Sequence, residues 1–82
     1  MITIDVYVPI IGKTYDFSLD ENILVETVTE EIVELIIQKE NYATYENSDM
    51  YLFSKKDSQA LNRSFSLKEN GIETGSKLLL VW

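Results

Sequence analysis

Residues 2–8, Ile-Thr-Ile-Asp-Val-Tyr-Val, alternate strictly between two sets of side chains and are rich in β-branched residues. That period of two predicts a strand with one face buried. Ile2, Ile4, Val6 and Val8 point one way, and Thr3, Asp5 and Tyr7 the other. Pro9 has no N–H to give a ladder and marks the strand's exit, and Gly12-Lys13 sits in a turn. Alternation resumes over 14–19, with Tyr15, Phe17 and Leu19 against Thr14, Asp16 and Ser18. Two such runs around a Pro/Gly turn predict a hairpin.

Asp20-Glu21-Asn22 breaks the pattern, and from Leu24 to Glu40 the period becomes helical. Val25, Val28, Ile32, Leu35 and Ile36 recur at spacings of three and four and predict one buried face, which Val33 and Ile37 widen. Two starts fit: Asn22 as cap, or Thr27 with Glu30 as a capping box one turn later. The earlier start is preferred because Val25 belongs to the stripe. Residues 41–49 read as a polar loop, Met50 to Ser54 as a short strand, Lys55 to Ser58 as a turn, and Gln59 to Asn62 as a very short strand. Ser64 to Asn70 reads as an irregular or single-turn segment closed by Gly71. Residues 77–82, Lys-Leu-Leu-Leu-Val-Trp, are a final strand whose continuous apolar run suits a central place in the sheet.

Composition acts on this picture by exclusion. A chain of 82 residues is expected to form one domain, 1–82, with one core, and 45% apolar against 26% charged residues is a globular balance. There is no cysteine, which removes disulfides, thiolate catalysis and cysteine metal sites. There is no histidine, which removes the commonest metal ligand and the commonest general base near neutral pH. No apolar run approaches the ~20 residues of a membrane span. The N-terminal segment lacks a basic region and a cleavage site, so the expected location is cytoplasmic. A net charge of −7 opposes nucleic acid and anionic membranes and suits a basic partner surface.

The charged groups carry no chemistry of their own. Asp16, Asp20, Glu21, Asp49 and Asp57 show no EF-hand or other metal-loop spacing, and the three glycines make no phosphate-cradling loop. Glu26, Glu30 and Glu34, with Glu31 beside them, read as a solvated helix face. Asn62-Arg63-Ser64 matches a glycosylation acceptor by chance in a chain expected to stay in the cytoplasm. Lys55-Lys56 is a basic turn, an edge gatekeeper or a local contact. No catalytic, metal or cofactor residue is expected, and no enzyme.

The order hairpin, helix, strand, short strand, strand resembles the β-grasp fold: α+β, a mixed four- to five-stranded sheet packed on one helix. Leu61, Leu67, Gly71-Ile72, Gly75-Ser76, Leu78 and Leu80 resemble the ubiquitin pattern, in which a leucine-led turn precedes an isoleucine and a final Leu-x-Leu strand. The helix spacing Val25, Val28, Ile32 is ubiquitin-like as well. Within that superfamily, the length and the second strand with Tyr15, Asp16, Phe17 and Leu19 are similar to the YukD/EsaB-type small proteins of Gram-positive type VII secretion. The resemblance implies an adaptor or regulatory component of that machinery, without catalytic residues, whose protein partner is a membrane-anchored apparatus subunit. A homo-oligomeric structural element is an alternative. A covalent modifier or sulfur carrier is disfavoured, because those need a flexible Gly-Gly tail and this chain ends Leu80-Val81-Trp82.

The resemblance also implies a sheet order: hairpin strand two, strand one, last strand, strand three. Leu78, Leu80, Met50 and Leu52 then face the helix. Tyr7, Tyr51, Phe53, Leu79 and Val81 gather on the opposite face, where ubiquitin-like domains bind partners, and a monomer seldom exposes such a patch without a use. With the other parity for strand three, Tyr51 and Phe53 are core instead.

Overall fold

In a computed structural model, which describes residues 1–40 and 50–81, the alternating runs form five strands around one helix. They are β1 (Ile2–Val8), β2 (Lys13–Leu19), α1 (Val25–Glu40), β3 (Tyr51–Ser54), β4 (Gln59–Ala60) and β5 (Lys77–Val81). The loop read at 41–49 and the terminal Trp82 lie outside the described residues. The sheet order is β2-β1-β5-β3-β4. The β1–β5 pair is parallel and the others antiparallel, which makes the sheet mixed. The hairpin turns at Gly12, whose φ of +65° is a left-handed conformation that costs other residues strain.

Alternate residues of the strands bury toward α1. Ile4, Val6 and Val8 of β1, Tyr15 and Leu19 of β2, Leu52 of β3, and Leu78 and Leu80 of β5 join Val25, Val28, Ile32, Val33 and Ile36 of the helix in one core. Phe17 and Ile37 pack on it while remaining partly exposed. Thr29 is also buried on the helix, which an apolar stripe does not foretell; its hydroxyl donates to the carbonyl of Val25 at 2.8 Å and so needs no partner across the core.

Leu35 departs from the sequence reading. The helical spacing counts it in the buried stripe, but half of it (49%) is exposed. At 100° per residue the buried arc runs from Val28 to Val33 through Ile32, Val25, Ile36 and Thr29, and Leu35 falls just past the Val28 end. The helix start is the earlier one, yet neither anticipated cap makes it. The N–H groups of Val25 and Glu26 donate to the carbonyls of Phe65 and Arg63, at 2.8 and 3.2 Å. Orphan donors at this end are thus met from the far end of the chain.

That donor segment is itself tightly built. Ser66 Oγ accepts from the Glu69 N–H while Glu69 Oε1 accepts from the Ser66 N–H, a reciprocal capping box. Gly71, at φ +78°, closes the turn: its N–H donates to Lys68 and the Ile72 N–H donates to Leu67, the two bonds of a Schellman motif. The apolar pair that accompanies such a motif, Leu67 and Ile72, is buried here. The single turn expected at 64–70 and its glycine stop are therefore present.

Candidate functional site

The face of the sheet turned away from α1 is set by strand parity. In β5, Leu78 and Leu80 are fully buried, so Leu79 and Val81 must point outward. In β3, Leu52 and Ser54 are buried, so Tyr51 and Phe53 point outward with them. The opposite parity for β3 is excluded. In β1, Tyr7 lies between the buried Val6 and Val8 and points outward too.

Register then brings the five side chains into two adjacent rows. Leu79 lies beside Tyr7 of β1 on one side and Phe53 of β3 on the other. Thr14 and Ala60 continue that row to the two edges, so it crosses all five strands. Val81 lies beside Tyr51 in the second row. Tyr51 and Val81 are each 40% exposed, and Tyr7, Phe53 and Leu79 are half-buried by one another and by their flanks. Cross-strand neighbours of this kind sit ~5 Å apart at Cβ, close enough to form one continuous apolar surface.

Two cations cover its tyrosines. Lys55 Nζ stands 5.8 Å from the centre of the Tyr7 ring, and the Arg63 guanidinium 5.6 Å from that of Tyr51. Contacts of this sort contribute about 0.5–1 kcal/mol at exposed sites, enough to favour one ring orientation without locking it. The Lys55-Lys56 turn thus supplies a local contact. Arg63 was legible only as part of a chance glycosylation pattern, since nothing local ties it to a tyrosine twelve positions earlier.

Toward β2 the same face turns polar. Thr3 and Ser18 share a hydroxyl hydrogen bond of 3.3 Å, and Asp5 sits directly opposite Asp16, with Lys77 beside Asp5 on its other side. Hydrogen bonding to Asp5 and its like charge hold the Asp16 carboxyl above its ordinary value. At the hairpin end, Glu40 accepts from Lys13 Nζ at 2.7 Å and from the Tyr15 hydroxyl, and these bonds hold its carboxyl below its ordinary value. Among the described residues no three carboxylates gather to hold a metal ion, and no helix is long and apolar enough to cross a membrane.

No known protein family matches this chain, and no curated protein does. Solved structures do match. The ubiquitin-like domain of EccD5 from Mycobacterium xenopi superposes with a TM-score of 0.76 at 15% identity, over 96% of this chain and 90% of that one. A chain of the MycP5-free ESX-5 inner membrane complex gives 0.76 at 20% identity, over 96% of this chain but 20% of its own length. A chain of the toluene 4-monooxygenase HD complex gives 0.80 at 11% identity, over 99% of this chain and 96% of that one. At such identities the likeness is one of fold: this chain has the ubiquitin-like β-grasp architecture, and that architecture recurs in assemblies of unrelated activity.

Proposed function

We propose that this chain, as one domain over 1–82, is a non-enzymatic protein-binding module. Its partner docks on the sheet face formed by Tyr7, Tyr51, Phe53, Leu79 and Val81. We further propose that it is a cytoplasmic accessory or regulatory component of a Gram-positive type VII secretion system, of the YukD/EsaB type, and that the partner is a membrane-anchored subunit of the apparatus. The observation that carries the docking face is the pair of apolar rows centred on Leu79, with cations over its two tyrosines. Aromatic side chains at the middle of a patch with a charged rim are the usual anchors of protein interfaces. The secretion role is supported by the second-strand resemblance and by the fold shared with EccD5 and a chain of the ESX-5 complex.

The test is affinity capture from detergent-solubilised source-cell lysate with wild type and Leu79→Asp as paired baits. Wild type recovers a membrane-anchored secretion subunit, and Leu79→Asp, with an unchanged circular dichroism spectrum, recovers at least about tenfold less, as expected for an unpaired charge at an interface centre. Equal recovery by both baits removes the site from this face. Recovery of the chain's own copies alone replaces the adaptor reading with self-association, which light scattering at several concentrations measures directly.

A further inference from the structure

We propose that the groove at the end of the sheet where β3 finishes and β5 begins binds a phosphomonoester, a compact dianion held by the side chains of Lys55, Lys56 and Lys77 and by the hydroxyls of Ser54 and Ser76. The groove lies at the opposite end of β3 and β5 from Tyr51 and Val81.

Three observations lead there. First, the backbone gathers cations at this point. The Lys55 N–H donates to the Lys77 carbonyl at 3.1 Å, which sets the Lys55–Ser58 turn against the first residue of β5. Lys55, Lys56 and Lys77 thereby line one groove of about 470 Å³, in the size range of small-molecule sites. They are three of the seven cationic side chains in a protein of net charge −7. Asp57 and Glu73 line the groove as well. Neither pairs with these lysines: among the described residues the ion pairs are the N-terminus with Glu21 and Lys13 with Glu40. Each of the three lysines is exposed and keeps its ammonium donors for something other than a carboxylate of this chain.

Second, the groove wall holds a hydroxyl that the fold does not use. Ser54 takes an inward position of β3 and is only 8% exposed. A buried hydroxyl without a partner costs free energy, and an apolar residue would close the core there at no such cost. Yet the Ser54 side chain makes no hydrogen bond among the described residues, and it lies in the groove wall. Ser76, on the facing wall, accepts from the Glu73 N–H at 3.0 Å, which leaves its own proton to give.

Third, these donors select the ligand. Three ammonium groups and two hydroxyls suit the three charged oxygens of a phosphomonoester better than the two of a carboxylate. An extended polyanion or an anionic lipid surface is opposed by the net charge of −7, and at the groove itself by Asp57 and Glu73. Charge thus favours a single phosphoryl group small enough to meet the lysines without lying along the rest of the surface. Lys55 also stands over the Tyr7 ring, so the variants that isolate this site are those of Ser54, Lys56 and Lys77.

The probes are inorganic phosphate and N-acetyl-phosphoserine methylamide, each titrated into 15N-labelled protein, with the unphosphorylated serine compound as control. Amide shifts are expected to concentrate at residues 54–57 and 71–77 with both phosphates and to be absent with the control. Lys56→Gln combined with Lys77→Gln, two exposed changes, is expected to weaken binding about tenfold or more. Ser54→Ala is expected to weaken it several-fold while the melting temperature stays at or above that of wild type, because no hydrogen bond of the fold is lost. Tighter binding of the phosphoserine compound than of phosphate assigns the site to a phosphorylated side chain of a partner, and equal binding to a small phosphate compound; both uphold it. The proposal is overturned if neither phosphate binds, if the control binds as well, if the shifts appear equally at Lys13, Lys39 and Lys68, or if the double variant binds as well as wild type.

Discussion

Leu78 and Leu79 are the same residue one position apart, and the strand pleat gives them opposite surroundings. Leu78 is fully buried against the helix, while Leu79 sits among partly exposed aromatics. A charge at 79 therefore meets water at its rim, whereas a charge at 78 is stranded in the core, where desolvation costs several kcal/mol. Leu78→Asp is expected to abolish the cooperative melt and Leu79→Asp to preserve it; circular dichroism melts of the two variants make the comparison. Ile32 is completely buried at the centre of the helix face, and Ile32→Ala is expected to cost about 2–4 kcal/mol in urea unfolding through lost burial and a residual cavity. Parity of this kind was legible in the chain wherever alternation was strict, as in β1. Leu35 was not legible, because a helical period tells which side of the helix is apolar but not how far the opposing sheet extends to cover it.

At the scale of elements, β1, β2 and the helix could be read from periodicity and β5 from its apolar run, with their ends to within two residues. What the sequence concealed is how the ends are held. Asn22, Thr27 and Glu30 have the right chemistry for a cap, but the carbonyls of Arg63 and Phe65 supply it. No local pattern encodes a bond between positions about forty apart. The helix N-terminus thus depends on the Ser66–Gly71 turn holding its place. Ser66→Ala removes one half of the capping box and is expected to cost about 0.5–2 kcal/mol. Because the turn supports the helix start, hydrogen exchange at Val25 and Glu26 is expected to quicken along with exchange at Glu69. Quickening confined to 66–70 would show that the two elements are not coupled. Gly71→Ala meets no steric obstacle, yet it places a side chain at φ +78° and is expected to cost about 1 kcal/mol.

Over the whole molecule, a net charge of −7 is distributed unevenly. Glu26, Glu30, Glu31 and Glu34 occupy the exposed side of the helix, while Lys55, Arg63 and Lys77 lie on or beside the sheet face. Two carboxylates make opposite contributions to the pH dependence of stability. Asp16 has a raised value when folded, so the folded state takes up its proton more readily than the unfolded chain does. Its contribution is fully favourable at low pH and is lost as pH rises through the folded value. Glu40 has a lowered value, so the stability it provides is present at neutral pH and is lost as pH falls through its folded value. At pH 7, then, Asp16→Asn is expected to raise the melting temperature, by removing a like charge directly across from Asp5, and Glu40→Gln to lower it, by breaking the bond to Lys13. As pH falls through the carboxylate range, roughly from 5 to 3, both differences from wild type should shrink toward zero, one from above and one from below. Thermal melts of the three proteins across that range test both signs at once. A melting temperature for Asp16→Asn below that of wild type at pH 7 would mean that the Asp5–Asp16 pair is not repulsive in the folded state.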